Sequence, residues 1–198
     1  MKLYYSPGAC SLAVHIVLRE LQIPFDLESV DLSSHRAGEQ DFYTVSPHGK
    51  VPLLVLDDGT RLSEGPAICQ YLADHAARHD LLPATGTLER FRVVEWQNFI
   101  ATELHKSFAP FFNAAYPEAN RPFMRATLNR LMEWVGERVG SAGFLTGSTF
   151  TVADAYLFAV TGWADHAGVE LPHTMSEYRD RLRQRASVRA ALHAEGLA

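Results

Sequence analysis

The chain has 198 residues, which is enough to bury a hydrophobic core in one large domain or in two smaller ones. Hydrophobic residues make up 47% and charged residues 21%, as in ordinary globular proteins, and a net charge of -5 argues against a nucleic-acid partner or an anionic membrane. Two cysteines are too few for a disulfide scaffold or a zinc ribbon, and they indicate a reducing cytoplasm.

The first eighty residues alternate between strand-like and helix-like patterns. In order, a strand, a helix and a second strand are predicted for KLYYS, SLAVHIVLREL and FDLESVDL. After a connection, Asp58-Gly59 between two apolar runs predicts a β-hairpin, and Pro66 predicts the start of another helix. The order β-α-β, then β-β-α, predicts a small α/β domain whose first two strands are parallel.

From about residue 81 the sequence predicts helices only. The segment LLPATGTL has the composition of a linker. Helical periodicity then extends over roughly 88–114, 122–139, 151–166 and 175–193. Pro110 should bend or end the first helix, and Thr151-x-x-Asp154 predicts a helix N-terminal cap. The apolar run FTVADAYLFAV contains an aspartate and is too short to span a bilayer.

Cys10 stands where the first strand gives way to the first helix. Gly8 allows a sharp turn there, and Ser11 is expected to cap the helix. The helix N-terminus would stabilise a thiolate and lower the pKa of Cys10. A small buried side chain is an equally good interpretation of the local sequence. For Cys69, which lies within a predicted helix, the core interpretation is favoured.

Two loops before predicted elements have features of a ligand site. If the Val51-Pro52 bond is cis, the backbone of Val51 is free to pair with an extended peptide; a trans proline on a sheet edge is the default alternative. Ser63, Glu64 and the backbone of Gly65 begin a helix, where a carboxylate could dock and Glu64 could pair with an ammonium group. The alternative there is a simple cap with an acidic first turn.

A polar ridge interrupts the first helix of the second half. Asn98, Thr102 and His105 follow at i, i+4 and i+7, with Glu103 and Lys106 beside them. This ridge is either a solvated flank or the wall of a cleft.

No metal is expected. His75 and His79 are four residues apart but have no further ligands nearby, so surface histidines are the better interpretation. The glycines of GSAGFLTG follow a helix instead of a strand, so they do not form a phosphate-binding fingerprint.

Taken together, these segments resemble the cytosolic glutathione S-transferases, and specifically the bacterial beta class, over the whole length of the chain. The resemblance rests on MKLYYSPGACSLAVHIVLRE, GKVPLLVLDDG, LSEGPAICQYLAD, EWQNFIATELHKSF and FTVADAYLF. It implies a thioredoxin-like α/β domain over 1–80 (β-α-β-α-β-β-α) and an all-helical domain over 87–198, which contributes the hydrophobic substrate site and the dimer contacts. It also implies a cytoplasmic homodimer with no nucleic-acid or membrane partner.

The resemblance further implies that glutathione binds as a substrate, without a metal. The residues that match the family's binding positions are Tyr5, Cys10, His35, Val51, Pro52, Glu64, Gly65, Asn98, Thr102, Glu103, Leu104 and His105. Cys10 and His105 match the catalytic positions, and Cys10 matches a cysteine that faces the glutathione sulfur and can form a mixed disulfide with it.

Five other positions have implied roles. Val51 precedes a cis-proline and pairs with the cysteinyl part of glutathione. Glu64 and Gly65 receive its γ-glutamyl end, although the family more often has serine at the position of Gly65. His35 stands where relatives often have a lysine for the glycyl carboxylate. Glu103 reaches the site of the neighbouring subunit.

The implied activity is conjugation of the glutathione thiolate to small hydrophobic electrophiles, a detoxification reaction. The alternatives are a glutathione-dependent thiol transferase or peroxidase acting through Cys10, and a non-catalytic relative that binds ligands.

Overall fold

The structure, a computed structural model, describes the backbone of residues 1–198 and every side chain except that of residue 141. The elements of the first part are β1 (Lys2–Tyr5), α1 (Ser11–Leu21), β2 (Asp26–Ser29), β3 (Arg36–Ala37), β4 (Gln40–Asp41), a 3-10 turn (Phe42–Thr44), β5 (Leu53–Val55), β6 (Arg61–Ser63) and α2 (Gly65–His75). This is the predicted α/β part of the chain.

Four of these strands form one mixed sheet in the order β2-β1-β5-β6. β1 pairs with β2 in parallel and with β5 antiparallel, and β5 and β6 form an antiparallel hairpin that turns at Asp58-Gly59. Leu3 and Leu54, which pair across the two central strands, are fully buried. The predicted parallel pair and the predicted hairpin are therefore both confirmed.

The connection between β2 and β5 contains no α-helix. The second helix that the resemblance implies is a single 3-10 turn, which begins where the Asp41 side chain accepts a hydrogen bond from the backbone of Tyr43 (3.0 Å). Pro47 disfavours helical angles in the residue before it, and Gly49 has φ +59°, so the turn does not continue. The fully buried Phe42 anchors the connection against the sheet.

The second part is helical, as predicted. Its elements are α3 (Leu88–Phe99), a π-helix (Ile100–His105), α4 (Lys106–Phe112), a 3-10 turn (Glu118–Asn120), α5 (Arg121–Ala142), α6 (Val152–Thr161), α7 (Ala164–Ala167), α8 (His173–Arg183) and α9 (Ala186–Ala194). The first predicted helix ends two residues after Pro110, as that proline requires. None of the helices that the structure describes combines the length and the apolar character that crossing a bilayer requires.

α6 is the centre of the core. All of its residues are buried, and it packs against α1, α2 and α3, so that it joins the sheet layer to the helical part. The predicted cap is confirmed as a capping box: Oδ2 of Asp154 accepts hydrogen bonds from the backbone and the hydroxyl of Thr151, both at 2.9 Å. Oδ1 of Asp154 accepts two more, from the Leu145 backbone (3.0 Å) and the Tyr178 hydroxyl (2.7 Å).

Replacing Asp154 by alanine should therefore destabilise the protein strongly. The change leaves buried donors of Thr151, Leu145 and Tyr178 without their acceptor, and we expect a loss of about 3–5 kcal/mol in the free energy of unfolding. Urea unfolding at a fixed protein concentration measures it. The matched control is Asp180→Ala on the exposed side of α8, which should stay within about 0.5 kcal/mol of the parent chain. Equal losses in the two variants would contradict this assignment.

Candidate functional site

Cys10 lies at the entrance to α1. It is the last residue before the first helical turn, and Gly8, two residues earlier, has φ +71°, in the left-handed region that favours glycine. The turn predicted at Gly8 is confirmed. The side chain of Cys10 is partly buried, and its Sγ donates a hydrogen bond to the carbonyl of Val51 (3.3 Å). The thiol is thus tied to the loop before β5.

Ser11 does not cap α1, so that prediction is wrong. It is the first residue inside the helix, and its buried hydroxyl accepts a hydrogen bond from the Ser6 backbone N–H (3.2 Å) and donates one to the Ser6 carbonyl (3.3 Å). Ser11 therefore closes the loop that carries Cys10 instead of serving the free amides of the helix.

The surroundings of Cys10 keep its thiol protonated. Burial is the largest effect and raises the pKa of Cys10 to about 11. The backbone N–H groups of Cys10 and Ser11 and the ammonium group of Lys50 lower it, and the carboxylate of Glu64 raises it. The prediction of a lowered pKa is therefore wrong, because the loss of hydration outweighs the effect of the helix N-terminus.

The Val51-Pro52 peptide bond is cis, as the resemblance implies. β5 begins only at Leu53, so the peptide groups of Val51 lie outside the strand ladder. The carbonyl of Val51 points to Cys10. The two residues that the sequence places far apart are thus neighbours in the site.

Glu64 and Gly65 form the start of α2. Glu64 is exposed and has φ +66°, an uncommon angle for a residue with a side chain, and such strained residues cluster at functional sites. A Cβ atom placed on Gly65 would lie 3.6 Å from the ring of Pro52, an ordinary contact distance. The acidic side chain of Glu64 thus lies near the cis-proline loop. Its negative charge contributes to the raised pKa of Cys10.

His35 is part of a loop that packs onto the same loop before β5. It has φ +53°, and its ring lies 4.6 Å from the ring of Tyr43, centroid to centroid. A Cβ atom at Gly49 would stand 2.6 Å from the Tyr43 ring and 2.9 Å from Nδ1 of His35, so only glycine fits there. Among the described residues, the buried Nδ1 of His35 has no hydrogen-bond partner.

The predicted polar ridge is divided by the π-helix. Each turn of a π-helix holds more residues than a turn of an α-helix, so the i, i+4, i+7 spacing no longer places Asn98, Thr102 and His105 on one line. Asn98 and Thr102 are exposed and bond back to their own helix. His105 is half-buried, and its Nδ1 lies 2.7 Å from the hydroxyl of Tyr156.

His105 is uncharged at neutral pH. Burial, followed by the positive charges of Lys106 and Lys50, lowers the pKa of His105 to about 4. Its neighbour Tyr156 has a pKa well above the usual value, because it is buried and because Cys10 and Glu64 would place negative charge beside it. Tyr156, which contacts His105 directly, thus lies within electrostatic range of Cys10 and Glu64 as well.

The remaining residues matched by resemblance stand further back. Leu104 is fully buried in the core, so its side chain only supports the site from behind. The ring of Tyr5 lies 6.2 Å from the ring of the fully buried His15. Glu103 is exposed, and its reach into a neighbouring subunit stays a prediction.

Three residues of the site were missed by the sequence reasoning. Lys50 acts on both Cys10 and His105, and its position directly before Val51 could have signalled it. Tyr156 follows the capping motif on α6 and reads there as a core residue. Trp163 donates a hydrogen bond to the Gly8 carbonyl (2.8 Å), and its ring lies 4.9 Å from that of His105; no local pattern indicates it.

The part of the chain whose side chains are described has no group of three or more His, Cys, Asp or Glu side chains that could hold a metal ion.

The chain is similar to known proteins in both of its parts. The family described as "Glutathione S-transferase, N-terminal domain" matches residues 8–75, and "Glutathione S-transferase, C-terminal domain" matches residues 113–193. Glutathione S-transferase GstA of Escherichia coli O157:H7 is 46% identical over 200 residues, with 100% of both chains covered.

Solved structures of glutathione S-transferases are similar to this chain over its full length. The bacterial beta-class glutathione S-transferase of Sphingomonas chungbukensis is 41% identical, with a TM-score of 0.95 and 100% of both chains covered. A sphingomonad glutathione S-transferase complexed with glutathione is 39% identical, with a TM-score of 0.94 and the same coverage.

The pKa of Cys10 has a direct consequence for its alkylation. Because only the thiolate reacts, the rate with iodoacetamide should rise about tenfold for each pH unit between pH 7 and 9.5, with no plateau in that range. Mass spectrometry of the labelled peptide measures the rate. Cys10→Ala is the control for Cys69, whose thiol has its pKa raised to about 12 by burial. A rate that is already constant above pH 8 would show that the thiolate is stabilised after all.

Proposed function

This chain belongs to the glutathione S-transferase family and is a glutathione transferase, and we propose that it joins the thiolate of glutathione to small hydrophobic electrophiles. The observation that carries the proposal is the hydrogen bond of Cys10 Sγ to the carbonyl of Val51 (3.3 Å), at the N-terminus of α1. A peptide that extends along Val51 brings its own sulfur to this helix end, where partial positive charge favours an anion.

Each end of glutathione has a matching group nearby. We assign its ammonium group to the exposed carboxylate of Glu64 and its γ-glutamyl carboxylate to the backbone N–H of Gly65 at the start of α2. We assign the glycyl carboxylate to the loop of His35, next to the exposed side chain of Lys50. These assignments agree with the roles that the family resemblance implies.

The thiolate gains its stabilisation from groups around Cys10. Burial raises the pKa of Cys10, while the backbone N–H groups of Cys10 and Ser11 and, to a smaller extent, the ammonium group of Lys50 oppose that effect. We expect the same groups to favour the anion of a second sulfur at this helix end. His105 has a pKa of about 4 and is therefore a poor base at neutral pH, so we assign it a hydrogen bond to the glutathione sulfur instead of proton abstraction.

An aromatic surface next to His105 supports a hydrophobic second substrate. The ring of Trp163 contacts those of His105 and Phe112, with centroids 4.9 Å and 5.6 Å away. Phe112 is 54% exposed and stacks on His166. Electrophiles with flat apolar groups would bury surface here.

Thiol–disulfide exchange through Cys10 is the second candidate, since the thiol stands in the site. In that reaction the Cys10 thiolate attacks a glutathione disulfide, forms a mixed disulfide and releases a thiolate. With a pKa of about 11, the thiolate fraction of Cys10 at pH 7 is on the order of one in ten thousand. Conjugation is therefore the better-supported reaction.

A homodimer in the cytoplasm completes the proposal. The start of α3 exposes Leu88 and Phe91, at 64% and 61%, and α5 exposes Trp134 at 40%. Large apolar side chains of this kind mark contact surfaces, and we assign them to a second copy of the chain. Both cysteines are free thiols, as a reducing compartment favours.

Cys10→Ala separates the two reactions. Conjugation of aryl halides should stay within about tenfold of the parent value of kcat/KM, because the attacking sulfur belongs to glutathione. Reaction with glutathione disulfide should no longer add one glutathione to the protein, as read by mass spectrometry. The matched control is Cys69→Ala, which removes the other thiol and should alter neither readout. A complete loss of conjugation in Cys10→Ala would overturn the assignment in favour of exchange.

His35→Lys should strengthen glutathione binding. Lysine supplies a permanent positive charge for the glycyl carboxylate, so KM for glutathione should fall about two- to fivefold with little change in kcat. Steady-state kinetics at saturating electrophile measures both constants.

Glutathione with its glycyl carboxylate esterified is the control for His35→Lys. It has no charge to pair there and should gain nothing from the substitution. An unchanged KM for glutathione, or an equal gain for the ester, would remove His35 from the binding site.

A further inference from the structure

We propose that Glu195, directly after α9, is a positioning residue that holds the loop of Cys10 closed, with the thiol against the carbonyl of Val51. The inference deepens the proposed function and rests on it for the effect on glutathione. Glu195 and its partners Gly8 and His15 lie far apart in the sequence, and the proposed reaction assigns no role to Glu195 or His15.

The carboxylate of Glu195 is fully buried and is shared between two donors. Its Oε2 accepts a hydrogen bond from the backbone N–H of Gly8 (2.9 Å), across 187 residues of sequence. Its Oε1 lies 2.8 Å from Nδ1 of His15, a side chain that is itself fully buried. A buried carboxylate needs such partners, because an unpaired one is costly.

The hydrogen bonds fix the tautomer of His15. Nε of Arg19 can only donate, and it lies 3.3 Å from Nε2 of His15, which must therefore accept. Nδ1 then carries the hydrogen and donates to Glu195. Arg19, His15 and the buried carboxylate of Glu195 thus form one chain of hydrogen bonds.

Gly8 is held on both of its peptide groups. While Glu195 accepts from its N–H, its carbonyl accepts from Nε1 of Trp163 at 2.8 Å. Two methyl groups of Leu197 lie 3.8 Å from the point where a Cβ of Gly8 would stand. The turn that carries Cys10 is therefore clamped by side chains from the helical part of the chain.

This clamp links the start of α1 to the ring of His105. Trp163 contacts the ring of His105 as well as the carbonyl of Gly8, and Cys10 follows Gly8 by two residues. A shift of Gly8 would draw Sγ of Cys10 away from the carbonyl of Val51 and turn the start of α1. Both the exposure of the thiol and the direction of the helix N-terminus depend on the clamp.

A purely structural role for Glu195 can be distinguished, because α9 has a separate polar attachment. Ser187 and Arg185 both donate hydrogen bonds to the carboxylate of Glu20 in α1, each at 2.5 Å. These contacts fasten α9 to α1 without touching the loop of Cys10. Ser187→Ala thus loosens the same helix and serves as the matched control.

The test variant is Glu195→Gln. Glutamine keeps the size of the side chain but replaces one of the two carboxylate oxygens by an NH2 group, so Gly8 and His15 no longer each face an acceptor. Three readouts are compared with Ser187→Ala: hydrogen exchange of the peptide that contains Gly8, alkylation of Cys10 by iodoacetamide at pH 8, and KM against kcat for glutathione.

In Glu195→Gln, exchange at Gly8 and alkylation of Cys10 should each rise about tenfold, while KM for glutathione rises and kcat falls. We expect a more reactive protein thiol together with poorer conjugation. Opening of the loop exposes Cys10, and the changed direction of the helix N-terminus weakens its stabilisation of the glutathione thiolate. In Ser187→Ala the same readouts should stay within about twofold, even where its thermal stability falls.

Two results would overturn the proposal: no change at Gly8 and Cys10 in Glu195→Gln, or an equal change in Ser187→Ala. If Glu195→Gln does not fold, Trp163→Phe decides, because it removes the other hydrogen bond of Gly8 and should raise exchange and alkylation in the same way. Exchange and alkylation are measured without glutathione, so they test the clamp even if the proposed function fails.

Discussion

The thiol of Cys10 donates a hydrogen bond to the carbonyl of Val51, and this contact joins the N-terminus of α1 to the loop before β5. Donation requires that the sulfur keep its proton, which agrees with a pKa of about 11. The N–H groups at the helix end favour the anion of Cys10, but burial outweighs them, so the protein's own sulfur stays neutral. The partial positive charge of the helix end remains available for an incoming thiolate. The rest of the site is arranged around this contact, with Glu64 near the cis-proline loop and His105 beside Tyr156.

The π-helix has a comparable effect on His105. By widening the turn it leaves Asn98 and Thr102 in solvent while His105 lies half-buried against Tyr156 and Trp163. Burial there removes basicity and leaves a neutral ring that can donate a hydrogen bond without adding charge. A straight α-helix would carry all three polar residues along one flank. The local change of helix type thus selects which of them becomes part of the site.

The fold follows from the sequence where short-range rules apply. The parallel β1-β2 pair, the Asp58-Gly59 hairpin, the Thr151–Asp154 cap and the end of α4 after Pro110 all depend on neighbouring residues. The site depends on contacts that no local pattern contains. The pKa of Cys10 is set by burial under distant segments, and Trp163 and Glu195 reach Gly8 across 155 and 187 residues. Sequence reasoning therefore located the thiol but misjudged its acidity, and it missed the groups that hold its loop.

The high pKa of Cys10 is compatible with the proposed reaction. A protein that gathers electrophiles beside an aromatic surface exposes its own cysteine to them at every turnover. A thiolate at position 10 would be alkylated and would block the site, since nucleophilic attack needs the ionised sulfur. Burial keeps Cys10 in the unreactive form, while glutathione supplies the sulfur that is consumed. The buried carboxylate of Glu195 contributes to the same end, because a loop held closed at Gly8 keeps Cys10 out of solvent. Selectivity between the two sulfurs is then a matter of which one the fold allows to ionise.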